Sequence, residues 1–298
     1  MTHRARTRPA PHGDHPEPPP DQGRPLLAEL CGRQPSPVVP VVHEGLRTRT
    51  LCFGTLGAVQ TTMRKSDPYA LQLPYTRAMM AFQLFQPQPA HILIVGLGGG
   101  SLSKYCHRRF PEALVTTVEI DERVIALRDQ FQIPEDSRRF RVVHADAAAH
   151  LATLREGADV ILLDGFDAFG LPASLSSQRF YDDCHGALRD GGVLVANLLE
   201  RGAQAAACLD RISRAFTRRS FWTSAQRNGN PVAITARHAP PPDWPALHER
   251  ARELALAGET DLGPHVRNME RNHAERRHVE SSPGARAASR RPAFAAHD

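Results

Sequence analysis

Short apolar runs alternate with stretches of helical spacing through the middle of the chain. The apolar runs are 92–95, 114–119, 140–143, 160–163 and 193–196. The helical stretches that lie between them are 101–109, 122–130, 147–154 and 177–188. Continuous apolar strands that alternate with helices are typical of a parallel sheet covered on both faces. This pattern predicts an α/β domain of Rossmann-like type.

Two further strand-like segments, 220–223 and 231–236, follow these units. The link between them contains Asn228-Gly229, a strong signal for a hairpin turn. A parallel sheet that ends in an antiparallel hairpin is the plan of methyltransferase-type domains, and plain dinucleotide dehydrogenases lack it. A last helix is predicted over 244–257, where apolar residues recur at helical spacing.

The segment before this domain has a different pattern. Strand-like stretches at 38–42, 47–53 and 58–60 are punctuated by glycines, which predicts a small antiparallel N-terminal sheet. Residues 74–85 then have the apolar spacing of a helix. We therefore expect a small β sheet and a connecting helix to precede the Rossmann-like domain.

Both ends of the chain are rich in Pro, Arg and His and poor in apolar residues, so we expect them to be disordered. The predicted organisation has four parts. They are a Pro/Arg-rich tail at 1–35, the small sheet with its helix at 36–88, the Rossmann-like domain at 89–265 and a basic tail at 266–298.

Composition bears on nucleic-acid binding, on membrane insertion and on the role of the cysteines. The formal net charge of the 298-residue chain is +5, but much of the basic excess lies near the ends, so nucleic-acid binding is not favoured. There is no apolar run of 18 residues and no secretory signal, so we expect no membrane span and a cytoplasmic location. The five cysteines form no C-x-x-C pair and are interpreted as small buried hydrophobes.

A glycine-rich turn joins the first strand of the large domain to the helix that follows. The sequence is Ile94-Val95-Gly96-Leu97-Gly98-Gly99-Gly100-Ser101. Glycines permit positive φ and let a ligand approach the backbone, and a helix N-terminus offers free N–H groups. No Gly-Lys-Ser/Thr follows, so the turn is not a P-loop. By itself it could also be a tight turn without a ligand.

Acidic residues end the next two strands. Glu119 lies about 20 residues beyond the glycine turn, where a carboxylate can accept both ribose hydroxyls. Asp121 is interpreted as the N-cap of the next helix. Asp146 follows the third strand, and the sequence leaves two roles open for it, contact with an adenine amino group or helix capping.

The fourth strand is followed by Asp164-Gly165-Phe166-Asp167. Two carboxylates three residues apart, at the mouth of the same crevice, could hold a cationic amine and orient its lone pair. Neighbouring carboxylates can also raise the pKa of one of them, which suits a weak base. Alternatively, Asp164 hydrogen-bonds its own loop and Asp167 is solvated.

Together these residues resemble the spermidine synthase family of polyamine aminopropyltransferases over roughly residues 38–240. The resemblance is carried by Gln60, Tyr75 and Met79, the glycine turn, Val118-Glu119-Ile120-Asp121, Asp146 and the Asp164/Asp167 pair. It implies transfer of an aminopropyl group from decarboxylated S-adenosylmethionine to a diamine such as putrescine, without a metal. It also implies a homodimer.

The resemblance assigns roles residue by residue. Glu119 would hold the ribose and Asp146 the adenine, with Gly96, Gly98 and Gly99 forming the nucleoside-binding turn. Gln60 and Tyr75 would line the groove between the two domains. Asp164 would be the catalytic base or amine-orienting group, and Asp167 a second amine anchor.

The sequence departs from the family in three places, one of which is the pair Phe166 and Phe169, which makes the loop with Asp164 and Asp167 more apolar than a dicationic acceptor would require. Gly98 stands where the family carries an Asp that grips the donor amine, and residues 224–226 lack the expected Tyr. Two alternative functions follow. One is a methyltransferase that uses intact S-adenosylmethionine, and the other is a nucleoside-binding relative without turnover.

Overall fold

The computed structural model describes residues 38–54, 59–198, 202–217, 220–224 and 229–281. Its first part is an antiparallel sheet of β1 (Pro40–Glu44), β2 (Thr48–Phe53) and β3 (Val59–Arg64), with β2 in the middle. The predicted N-terminal sheet is therefore confirmed, and its third strand runs four residues further than expected. The predicted disordered tail at 1–35 lies outside the described residues.

The large sheet has seven described strands. They are β4 (His91–Val95), β5 (Leu114–Glu119), β6 (Phe140–His144), β7 (Ala158–Leu163), β8 (Leu188–Asn197), β9 (Ser220–Ser224) and β10 (Pro231–Ala236). Their spatial order is β6-β5-β4-β7-β8-β10-β9. The pairs from β6 to β8 are parallel, whereas β10 pairs antiparallel with both β8 and β9. This confirms the methyltransferase-type plan.

Helices cover both faces of this sheet. They are α1 (Pro74–Met79), α2 (Ser101–Arg109), α3 (Glu122–Ile125), α4 (Ala147–Thr153), α5 (Gln178–Ala187), α6 (Ala203–Ala215), α7 (Trp244–Leu256) and α8 (Gly263–Ser281). The chain continues from α1 into a 3₁₀ turn at Met80–Leu84, and a second 3₁₀ turn lies at Ala173–Ser176. Helix α6 had no counterpart among the predicted helices.

Helix α3 is shorter than the sequence pattern predicts. The expected helix 122–130 ends at Ile125, and the chain then coils through hydrogen bonds such as Arg128 N–H to the Ile125 carbonyl, 3.1 Å. Gln132 has a φ of 53°, in the left-handed region. The tight coil places the Phe131 ring against the glycine turn, since a Cβ built on Gly99 would lie 2.7 Å from it.

The core divides into two layers, one on each face of the large sheet. Alternate residues of β4 point to opposite faces, so Ile92 and Ile94 lie in one layer while Leu93 and Val95 lie in the other. Leu51 of the small sheet is fully buried in the first layer. The small sheet therefore contributes to the same core as the Rossmann-like domain.

The segment predicted as a basic tail from residue 266 is instead helical as far as it is described. Helix α8 runs to Ser281; Val266 and Met269 within it, and Leu262 just before it, are fully buried. The expectation of disorder is wrong for 266–281, because Val266 and Met269 dock the helix together with side-chain hydrogen bonds to β9. Residues 282–298 lie outside the described part.

Two other expectations concern cysteines and membranes. Cys52, Cys106, Cys184 and Cys208 are free and buried, as predicted, and Cys31 lies outside the described residues. Among the helices that the structure describes, none has the length and apolar character needed to cross a membrane.

Candidate active site

The strand order places a crevice between β4 and β7. From β4 the chain proceeds to β5 and β6 on one side, and it then returns to β7 and β8 on the other. Loops that leave the carboxyl ends of β4 and β7 diverge at this switch point, where open α/β sheets bind ligands. A cavity of about 390 Å³ opens there, lined also by residues of β2, β3 and α1.

The glycine turn after β4 forms the floor of the cavity, and its conformation requires glycine. Gly96, Gly98 and Gly100 have φ of +92°, +50° and +70°. A Cβ on Gly96 would lie 2.3 Å from the Asp164 carbonyl oxygen, and one on Gly98 would lie 2.8 Å from Thr61 Oγ1. The turn is thus packed tightly against the loop after β7 and against β3.

Glu119 ends β5 beside this turn and is only 9% exposed. Its Oε2 accepts a hydrogen bond from the Leu97 N–H at 2.8 Å, and its Oε1 accepts one from the Asp121 N–H at 2.9 Å. Each carboxylate oxygen has a further lone pair. Because Glu119 also lines the cavity, it can accept a pair of neighbouring hydroxyl groups there.

The structure separates the roles of the other two strand-end acids. Asp121 caps α3 through the Arg123 N–H, which confirms the predicted N-cap. Asp146 caps α4, since its Oδ1 accepts from the Ala148 N–H at 2.7 Å, and it is exposed and not among the residues lining the cavity. The capping role is observed, and the contact with adenine stays a prediction.

Asp164 follows β7 and is held by two hydrogen-bond donors. Tyr75 of α1 donates its hydroxyl to Oδ2 at 3.0 Å, and Asn197 at the end of β8 donates its amide N–H to Oδ1 at 2.8 Å. Burial raises the pKa of Asp164, while these two donors act in the opposite direction. Burial and the Asp164 charge raise the pKa of Tyr75, so its hydroxyl remains a donor.

Asp167 occupies a more open position on the same loop. Its Oδ1 accepts from the Phe169 N–H at 2.7 Å, and its own N–H bonds the Gly170 carbonyl at 3.0 Å, which closes a tight turn. The second oxygen is available to a ligand. Phe166 and Phe169 line the cavity beside it, and Phe169 is 76% exposed.

The structure adds lining residues that sequence reasoning missed. Besides the predicted Gln60, β3 supplies Thr61, whose Oγ1 accepts from the Gly99 N–H at 2.9 Å. Asn197 and Asn230 also line the cavity. Asn197 could have been found as the polar end of an apolar strand, whereas Thr61 and Asn230 carry no signal in the sequence.

The charged side chains that line the described part of the cavity are all acidic. Of the described residues that line it, Glu119, Asp164 and Asp167 are acidic, and none is Lys, Arg or His. Three carboxylates favour a cationic ligand, and Glu119 can accept hydroxyl groups. The site therefore combines an acceptor for hydroxyl groups with carboxylates that favour a cation.

The fold and this crevice define a methyltransferase-like α/β protein, and comparison with known proteins narrows the class. The model of the spermine/spermidine synthase domain matches residues 72–204. A polyamine aminopropyltransferase of Chromobacterium violaceum is 34% identical over 241 residues, which are 80% of this chain and 92% of that protein. One from Neisseria meningitidis is 34% identical over 225 residues, 74% of this chain and 84% of that protein. The chain belongs to the spermine/spermidine synthase family.

Solved structures agree on the fold. A probable spermidine synthase from Corynebacterium glutamicum has a TM-score of 0.57 at 18% identity, covering 72% of this chain and 88% of that one. Human methyltransferase-like protein 13, solved with SAH, has a TM-score of 0.56 at 26% identity, covering 62% and 91%. A spermidine synthase solved with the transition-state analogue AdoDATO has a TM-score of 0.52 at 22% identity, covering 67% and 74%.

Proposed function

We propose that this protein is an aminopropyltransferase that moves an aminopropyl group from decarboxylated S-adenosylmethionine to a small amine such as putrescine. The observation that carries the proposal is that Glu119 and Asp164 face one cavity, so that a ribose and an amine can be held side by side. The named activity of the Chromobacterium and Neisseria relatives supports it.

The donor would lie along the glycine turn. Glu119 accepts the ribose hydroxyls with the lone pairs that its two backbone hydrogen bonds leave free. Ile120 follows it and is 65% exposed, which offers an apolar surface to the adenine. Asp146 would receive the adenine amino group, and Gly96, Gly98, Gly99 and Gln60 would form the wall beside the sulfonium chain.

The acceptor would lie between Asp164 and Asp167. The amine nitrogen attacks the methylene carbon bonded to sulfur, the C–S bond breaks, and the electron pair stays on sulfur as a neutral thioether. The amine must be neutral to attack, although its pKa in water is near that of lysine, about 10.4. Asp164 receives the proton, Tyr75 keeps its carboxylate oriented, and Asp167 binds the second ammonium. Placing the reacting atoms in line contributes much of the remaining acceleration.

The donor identity is tested by calorimetric titration with decarboxylated S-adenosylmethionine, S-adenosylmethionine and methylthioadenosine. We expect tighter binding of the decarboxylated donor and turnover on putrescine. Gly98 leaves the turn without a carboxylate, so this measurement also addresses the methyltransferase alternative. A clear preference for intact S-adenosylmethionine, with no aminopropyl transfer, would refute the proposed function.

The role of Asp164 is tested by Asp164→Asn. We expect kcat to fall by roughly 10²–10⁴, the range for loss of a general base, because the amide cannot take the proton. Affinity for methylthioadenosine should stay within about twofold, since Glu119 and the glycine turn are unchanged. Asp210→Asn is the matched control, because Asp210 is an exposed residue of α6 paired with Arg214 outside the cavity. Unchanged kinetics in Asp164→Asn would remove this residue from the mechanism.

Assembly and location are further parts of the proposal. We expect the protein to be a homodimer, as the resemblance implies, and this is measured by light scattering coupled to size-exclusion chromatography. A cytoplasmic location is expected as well and is checked by cell fractionation.

A further inference from the structure

A line of side-chain amides extends from Asp164 along the wall of the cavity. Asn197 donates to Asp164 Oδ1 at 2.8 Å, and Asn230 Nδ2 donates to Asn197 Oδ1 at 3.1 Å. Asn197 is 2% exposed. The strand pairing brings these residues together, because Asn197 ends β8 opposite Val232 of β10, and Asn230 immediately precedes β10.

The direction of these hydrogen bonds is determined by Asp164. An ionised carboxylate can only accept, so Asn197 must turn its NH₂ group toward Asp164. Its carbonyl oxygen then points the other way and needs a donor, because a buried acceptor without a partner is costly. Asn230 supplies that donor. Without it, a half-turn of the Asn197 amide would present oxygen to Asp164, and an oxygen neighbour favours the protonated acid.

We propose that Asn230 is a positioning residue for amine activation: it fixes the orientation of the Asn197 amide, and thereby keeps Asp164 an ionised acceptor with its free lone pairs directed into the cavity. The inference rests on the proposed function for its benefit to catalysis, but the hydrogen-bond relay itself does not depend on turnover. Asn230 needs no contact with the reacting atoms for this role.

Few groups near Asp164 can stabilise its charge, so the orientation of Asn197 matters for its ionisation. The other titratable groups on the described walls of the cavity are Tyr75 from α1, Glu119 from β5 and Asp167 from the same loop, and no cation lies among them. Burial raises the pKa of Asp164, and the groups that oppose burial are the donors Asn197 and Tyr75. If the Asn197 amide turned around, Asp164 would therefore lose one of the two hydrogen bonds that lower its pKa against the effect of burial.

The test is a ¹³C NMR titration of the aspartate carboxyl groups in the full-length protein bound to methylthioadenosine, with Asp164 assigned by its absence in Asp164→Asn. Asn230→Leu removes the donor without adding charge, and Asn230→Asp replaces it with an acceptor of nearly the same shape. We expect the pKa of Asp164 to rise by roughly one unit in Asn230→Leu, equivalent to tenfold, and by more in Asn230→Asp. In both variants the acid limb of kcat/KM should move to higher pH by the same amount.

Controls separate the relay from charge and from misfolding. Gln204 also lines the cavity, so Gln204→Glu adds a carboxylate without altering Asn197, and its effect on Asp164 should be smaller than that of Asn230→Asp. Methylthioadenosine affinity within about twofold of the parent shows an intact fold. If Asn230→Leu does not fold, the comparison of Asn230→Asp with Gln204→Glu decides.

The proposal is overturned if the Asp164 pKa stays at its parent value in Asn230→Leu, or if Gln204→Glu shifts it as far as Asn230→Asp does. A uniform loss of kcat at every pH, with an unmoved acid limb, would show a merely structural role. An NMR shift in a protein that transfers no aminopropyl group would uphold the relay and refute the proposed function, so the two failures are distinguishable.

Discussion

Lys104 of α2 has no exposed surface and is held by uncharged groups. Its ammonium donates to the Phe131 carbonyl at 2.6 Å and contacts the sulfur of Met63 at 3.3 Å. Burial lowers the pKa of this lysine to about 8 from its usual 10.5. Lys104 thus joins β3 to the coil whose Phe131 ring packs on the glycine turn.

This pKa predicts a pH dependence of stability. Between pH 8 and 10.5 the unfolded chain binds the Lys104 proton and the folded chain does not, so the contribution of Lys104 to the free energy of unfolding should rise with pH across this window. The full rise of this contribution is on the order of 3 kcal/mol. Buried groups with raised pKa values, such as Tyr105 and Cys106, act in the opposite direction in both proteins, so the Lys104 contribution is measured as the difference between urea unfolding of the parent and of Lys104→Met. This difference should grow with pH, and parallel curves for the two proteins would contradict the prediction.

The sequence predicted the location of a residue where that location follows from its position at the end of a strand. Glu119 and Asp164 end apolar strands, and parallel strands bring their ends together, so both were found. Thr61 bonds a residue 38 positions away, and Asn230 bonds one 33 positions away. Such contacts depend on how the sheets pack, and the spacing of a single segment carries no information on them.

At the scale of elements, side chains of α8 cover the edge strand β9, on the side where a further strand could otherwise pair with it. Asn268 donates to the Ser224 carbonyl at 3.4 Å, Asn272 to the Trp222 carbonyl at 3.0 Å, and Arg276 to Ser220 Oγ at 3.4 Å. Every fourth residue along α8 advances about 6 Å, and every second residue along β9 advances about 6.6 Å. Successive contacts between the helix and the strand therefore stay in step. The described edge of β9 is thereby protected from pairing with another chain.

Asn272→Leu should destabilise the protein by about 1 kcal/mol, because it removes the hydrogen bond from this largely buried amide to the Trp222 carbonyl. Glu275→Ala, an exposed position of the same helix, is the control and should stay within about 0.5 kcal/mol of the parent. Chemical denaturation gives both values. Equal stability of the two variants would show that the amide adds nothing to the docking of α8.

The same feature explains why α8 was missed. Hydrophobic periodicity is the main sequence signal of a docked helix. Here the docking face also uses amides and an arginine, and its fully buried apolar side chains, among the residues whose burial is described, are Val266 and Met269. By contrast, the strands of the large sheet and helices α5 and α7 have strong apolar patterns, and their bounds were predicted to within one or two residues, except that β8 begins at Leu188, five residues before the predicted start.

At the scale of the whole molecule, the net charge and the charge of the site have opposite signs. The chain carries +5, whereas the described walls of the cavity hold three carboxylates and no cation. Overall composition therefore gave no indication of the ligand charge, because the basic residues that dominate the count lie elsewhere. The sequence revealed the acidic site only through the strand-end positions of its members.

The cavity charge predicts a salt dependence. Putrescine affinity for the methylthioadenosine complex should fall severalfold between about 0.05 and 0.5 M salt, since ions screen the attraction of the carboxylates for a dication. Methylthioadenosine is uncharged, and its affinity should change little. Calorimetry at several salt concentrations measures both, and Asp167→Asn should flatten the putrescine dependence. Equal salt dependence for the two ligands would argue against an electrostatic acceptor site.

The contact between Gly96 and the Asp164 carbonyl has a thermodynamic consequence. Gly96 has no room for a Cβ, and the Asp164 N–H bonds the Val95 carbonyl at 3.0 Å, so the turn that would receive the nucleoside and the loop that would receive the amine are joined by their backbones. A ligand that shifts one of them changes the free energy of the other. Because such coupling is reciprocal, the factor by which donor strengthens amine binding must equal the factor by which amine strengthens donor binding.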